Sequence, residues 1–130
     1  MALIGKNNEE KIWNYLVGKG LSDAGAAGLM GNLYAESALN PKNLQNSYEK
    51  TLGYTDDSYT AAVDDGTYSN FVRDSAGYGL AQWTFWSRKQ NMLEFARAAG
   101  KSIGDLEMQL DFLCKELSSS YASLFMALKA

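Results

Sequence analysis

Apolar residues recur at three- and four-residue steps in several separate stretches of the chain, and each such stretch predicts a helix. Ile12, Trp13, Leu16 and Val17 share one face of a helix over 9–17. Asn7 or Asn8 can cap it, Glu9 and Glu10 suit its positive end, and Gly18 and Gly20 stop it. Ser22 can cap a second helix running to Leu39, with Ala26, Leu29, Met30 and Leu33 as its stripe and Pro41 as its terminator. Gly25, Gly28 and Gly31 weaken that helix intrinsically but would let another element pack closely. Further on, Met92, Leu93, Phe95, Ala96 and Ala99 give a helix over 87–99 that ends at Gly100. Ser102 to Asp105 opens the next one, in which Leu106, Leu110, Leu113 and Leu117 repeat. A last helix from about Ser120 carries Tyr121, Leu124, Phe125 and Leu128.

Residues 42–76 break this rhythm. They are polar, rich in tyrosine and without long apolar periodicity. Thr55 can cap a short helix over 56–64 and Thr67 another over 68–74, with Asp65-Gly66 as the turn between them. A small β-hairpin around that turn is the competing arrangement. A long polar insertion between helices is more often functional than idle. The architecture expected is mainly α, with residues 1–8 a flexible N-terminal segment and 9–130 one domain.

Composition narrows the chemistry. With 130 residues, 46% hydrophobic and 21% charged, the chain is long enough for a real core and is not of disordered type. Twelve basic against fifteen acidic side chains give a net charge of −3, which argues against a phosphate-backbone binder, so no nucleic-acid partner is expected. There is no histidine, which removes Ser-His-Asp and Cys-His catalysis and the usual zinc ligand. No metal and no cofactor is expected. Cys114 is the only cysteine and sits in an apolar helical pattern, as a buried inert thiol would. No run of the sequence is long enough to span a membrane, and the first eight residues are too short and polar for a signal peptide. The chain reads as one module of a larger multidomain protein. Carboxylates, tyrosines and lysines are left for acid–base work, and aromatics at 12%, eight of them tyrosine, suit stacking on sugar faces.

Glu36 is the leading candidate. It follows Leu33 by three residues and Leu29 by seven, so it is expected beside the buried stripe. It also lies near the negative end of the helix dipole. Both surroundings favour a protonated carboxyl, the form a general acid needs when it protonates a glycosidic oxygen. The alternative is a solvated helix-end carboxylate. A second unusual run, Gly77-Tyr78-Gly79-Leu80-Ala81-Gln82-Trp83, frames an aromatic and a carboxamide with two glycines that allow a tight turn or close approach of a ligand.

The pair of runs, Glu36-Ser37-Ala38-Leu39-Asn40-Pro41 and Gly77 to Trp83, resembles the two core motifs of the lysozyme-like superfamily, including lytic transglycosylases and goose-type lysozymes. With the Trp-bearing first helix and Gly31-Asn32-Leu33-Tyr34-Ala35 before Glu36, the chain is similar over nearly its whole length to the phage tail lysozyme family of peptidoglycan hydrolase domains. The resemblance implies that Glu36 is the catalytic acid and that Tyr78 and Gln82 line the cleft. Trp83 would pack beneath them, Ser37 would orient the acid or its loop, and Tyr34 and Trp86 would be further cleft residues. It implies a muramidase of phage or secreted origin, acting on the bacterial cell wall at the β-1,4 bond between N-acetylmuramic acid and N-acetylglucosamine.

One departure bears on mechanism. Animal-type lysozymes carry an aspartate just before the comparable Tyr-Gly segment, where this chain has Gly77. Asp74 is the nearest substitute, and Asp56, Asp57, Asp64 and Asp65 lie in the insertion. An inverting hydrolase needs such a partner about 6.5–9.5 Å from the acid. A lytic transglycosylase needs none, because the substrate's own groups complete the reaction. A non-catalytic wall-binding or tail-structural domain is the reading from a different class.

Overall fold

The computed structural model describes residues 3–130. Among them are seven helices and no strand: α1 (Asn8–Gly18), α2 (Asp23–Ser37), α3 (Asn46–Leu52), α4 (Asp56–Asp65), α5 (Trp86–Ala99), α6 (Leu106–Ser119) and α7 (Ala122–Lys129). The fold is mainly α, as the periodicity predicts, and no helix among the described residues is long and apolar enough to cross a membrane.

Local capping explains most helix starts. Asn7 accepts from the Glu10 amide, Ser22 from Gly25, and Asp105 from Met108. Thr55 and Ser58 form a reciprocal capping box at α4, which uses two otherwise unpaired amides. α1 buries Ile12 and Leu16, leaves Trp13 half-buried and exposes Val17. α6 contributes Met108, Leu110, Phe112, Leu113 and Leu117 to the core. Of the expected segment 1–8, Met1 and Ala2 lie outside the described residues; Leu3 packs against the core, and Asn8 already opens α1.

The insertion differs from expectation in two ways. α3 was not foreseen: it is seven residues long, has no side-chain cap and lies in the stretch without the long apolar periodicity by which the equally uncapped α7 is read. Conversely, no helix forms over 68–74, which runs as turns and irregular chain. Its side chains are claimed elsewhere, since Tyr68 and Asp74 point into a buried polar network described below. No hairpin forms either; Leu44 with Tyr78 and Tyr78 with Trp83 make isolated antiparallel bridges.

α2 also stops two residues early. Ala38 and Leu39 both adopt left-handed backbone, with φ of 53° and 62°. Among the three glycines of α2, only Gly25 meets a neighbour: a Cβ there would fall 1.9 Å from the Leu128 carbonyl oxygen of α7. That oxygen accepts from the Ser22 amide at 3.0 Å, so the cap of α2 and the end of α7 are stitched together.

Candidate functional site

The helix phase decides how Glu36 is placed. The buried residues of α2 are Ala26, Leu33 and Ser37, a line at steps of seven and four. Glu36 lies one residue, about 100°, off that line, and it is exposed. The expected position beside the buried stripe is therefore occupied by Ser37. Among the described residues neither oxygen of Glu36 takes a hydrogen bond or an ion pair.

Ser37 joins α2 to the glycine-framed loop. Its Oγ lies 2.8 Å from the Leu80 carbonyl and 2.9 Å from that of Leu33, one turn back, with its single proton shared between them. Asn43 adds a second link, with Nδ2 donating to the Ser37 carbonyl and its own carbonyl accepting from the Gly79 amide and from Gln82 Nε2. Buried Gln109 of α6 supplies a third: its Oε1 accepts from the Leu80 amide while its Nε2 donates to the Pro41 and Ile103 carbonyls. The two sequence motifs, some forty residues apart, are thus brought into direct contact through Ser37 and Leu80.

The glycines make room for these clasps. Gly79 has φ +81°, and a Cβ there would lie 2.9 Å from Gln109 Oε1. A Cβ at Gly77 would lie 2.8 Å from Gln82 Oε1 and 3.2 Å from Gln45 Oε1. What approaches the loop backbone so closely is the protein's own carboxamides.

Other expected cleft residues are distributed unevenly. Tyr78 is fully buried and its hydroxyl is 2.6 Å from Thr60 Oγ1, so its ring belongs to the core and does not face solvent. Gln82 is half-buried with its amide group turned back onto Gly79 and Asn43. Trp83 is fully buried and its Nε1 donates to Glu116, which also receives Arg88 at 2.8 and 3.0 Å. Tyr34 and Trp86 are exposed, and the Arg73 guanidinium sits 5.2 Å over the Trp86 ring.

Asp74 occupies a place that sequence reasoning did not foresee. Its side chain and that of Lys89 are both completely covered, and Lys89 Nζ lies 2.6 Å from Asp74 Oδ1. Tyr59 and Tyr68 donate their hydroxyls to Asp74 Oδ2 at 2.6 and 2.8 Å. The Ala76 amide donates to Oδ1 and the Ala76 carbonyl accepts from Lys89 Nζ. A carboxylate so enclosed has no surface on which to activate a water molecule. Burial lowers the lysine's proton affinity, opposed by the bond to Asp74, and burial followed by that carboxylate raises both tyrosines. A signal for Lys89 was present: it precedes Met92 by three residues and Ala96 by seven, which puts it on the buried side of α5.

The remaining aspartates are mostly committed to backbone. Asp56 accepts from the Leu44 amide and from Asn40, Asp64 from the Ile103 amide and Ser102, and Asp65 from the amide and hydroxyl of Thr67. Asp57 is the open one, 88% exposed with Lys42 at 3.9 Å. Cys114 is a free, half-buried thiol raised chiefly by burial. Among the described residues no three His, Cys, Asp or Glu side chains cluster as metal ligands.

A family model described as phage tail lysozyme matches residues 7–130. The chain belongs to that family, as the paired motifs indicate, and is a lysozyme-like domain of the kind that acts on peptidoglycan.

Proposed function

We propose that this domain is a muramidase, cleaving the β-1,4 bond between N-acetylmuramic acid and N-acetylglucosamine with Glu36 as general acid. The observation that carries the reading is an exposed, uncommitted carboxyl on the residue before the Ser37–Leu80 clasp. A glycan strand can reach such a group from solvent. A strand lying over it would bring the leaving oxygen of the scissile bond within reach of the carboxyl. Phage or secreted origin and action on the bacterial wall follow from the family as part of the same proposal.

A lytic transglycosylase on the same bond is the second reading, and the enclosure of Asp74 favours it. In that reaction Glu36 protonates the leaving oxygen and later takes the proton of the muramic 6-hydroxyl, which attacks C1 of its own sugar. No second carboxylate is needed. In the hydrolytic route water attacks instead, and among the candidate aspartates of the insertion Asp57 has its carboxylate open to solvent.

Glu36→Gln should lower release of wall fragments by about 10²–10⁴-fold, the usual contribution of a general acid, without altering the circular dichroism. Undiminished lysis by the folded variant would sink the assignment. Mass spectrometry of the fragments separates the two routes: reducing ends are expected for the muramidase, and 1,6-anhydro ends identify the transglycosylase.

A further inference from the structure

The Asp74–Lys89 pair does not touch the surface, yet its contacts converge on the backbone of one residue, in the two peptide groups that flank its Cα. Asp74 Oδ1 accepts from the Ala76 N–H at 3.0 Å, and Lys89 Nζ donates to the Ala76 C=O at 2.8 Å. Ala76 is the residue that leads into the Gly77–Trp83 loop. Its two backbone groups are held from opposite ends by two ions that also hold each other. Tyr59 and Tyr68 fix the carboxylate from above, and Lys89 Nζ sits 4.3 Å over the Phe71 ring. Downstream, the loop is held at Leu80 by Ser37 and Gln109.

A buried ion pair is a poor way to gain stability, because desolvation offsets the attraction and apolar replacements of similar volume are often neutral or better. What a pair of ions does offer is a hydrogen-bonded geometry with no slack. Resting on the muramidase reading above, we propose that Asp74 and Lys89 are positioning residues: they clamp the Ala76 backbone on both sides of its Cα and so fix the Gly77–Gln82 loop in register with the Glu36-bearing end of α2. Displacement of a supporting segment by an ångström can cost two orders of magnitude in rate.

The test is a double variant, Asp74→Asn/Lys89→Met, which removes both charges and keeps the volumes. It should keep the wild-type circular dichroism and a cooperative thermal melt, lowered by the loss of the donor to the Ala76 carbonyl, yet show kcat on soluble glycan strands reduced by about 10–100-fold with KM nearly unchanged. Asp74→Asn/Lys89→Gln restores a donor for the Ala76 carbonyl without charge, and it should recover much of the lost kcat. A folded Met-containing double variant with wild-type kcat overturns the inference. Should that variant not fold, Tyr68→Phe takes its place, since it strips one donor from Asp74 at a half-buried position. It should lower kcat several-fold at fixed KM, and an unchanged kcat overturns the inference. Wild-type and Glu36→Gln proteins are assayed alongside; a wild type that releases no fragment overturns the muramidase reading itself, and with it the clamp.

Discussion

Ser37 and Glu36 are neighbours in sequence, but the helix turns one into the core and the other into water. The hydroxyl of Ser37 is the direct side-chain tie between the two motifs, and it is buried. Ser37→Ala should leave the Leu80 carbonyl without that donor and cost about 1–3 kcal/mol, read as a lower urea midpoint with an unchanged m-value. A loss below experimental error would mean that the loop relaxes to another donor. The same scale shows what could be read in advance. The Glu-Ser pairing was legible as a motif, but the phase of α2 was set by Leu33 and Ser37 together, and a serine does not announce itself as a core residue. Gln109 and Lys89 are similar cases. Both are polar residues at buried positions of amphipathic helices, fully covered because each has backbone groups of the loop to satisfy.

Helices with a side-chain cap or a long apolar stripe were readable, α5 and α7 by the stripe alone, and α3, with neither, was not. α1, α2, α4 and α6 begin at Asn7, Ser22, Thr55 and Asp105, as local hydrogen bonding dictates. By contrast α3 has neither cap nor buried face. The glycines of α2 allow an element-scale test in which propensity and sterics oppose each other. Alanine in place of a helical glycine gains about 1 kcal/mol, and nothing lies within 4 Å of a Cβ at Gly28 or Gly31. Gly28→Ala and Gly31→Ala should each raise the melting temperature. At Gly25 the added carbon would meet the Leu128 backbone at 1.9 Å, and overpacking of that kind costs about 1–3 kcal/mol. Gly25→Ala should therefore lower the melting temperature and speed amide exchange in α7. Equal effects at all three positions would show that α7 is not seated on α2.

Across the whole molecule the tyrosines dominate the alkaline response. Burial, helped by Asp74 or Asp111, raises Tyr59, Tyr68 and Tyr15, and burial raises Tyr78 against the opposing bond to Thr60. Below pH of about 10 folded and unfolded chains both keep these protons. Above it the unfolded chain releases them and the folded chain does not, so stability falls as pH rises. Lys89 acts in the opposite sense, because its folded form deprotonates first, but that gain ends at the ordinary lysine value of about 10.4. Urea midpoints should therefore drop steeply above pH of about 10.5, and tyrosinate absorbance from these rings should appear together with unfolding. A full tyrosinate signal from the folded protein would show that the rings are not sealed. That sealed interior has an optical side. Trp83, closed off from solvent and bonded through its indole N–H to Glu116, is the last residue of the glycine-framed loop, while Trp13 is half-buried and Trp86 lies open. Of the chain's three indoles, the one beyond the reach of an aqueous quencher is fastened to the segment that faces Ser37. Its emission is a built-in gauge of whether the loop is seated, readable without any label.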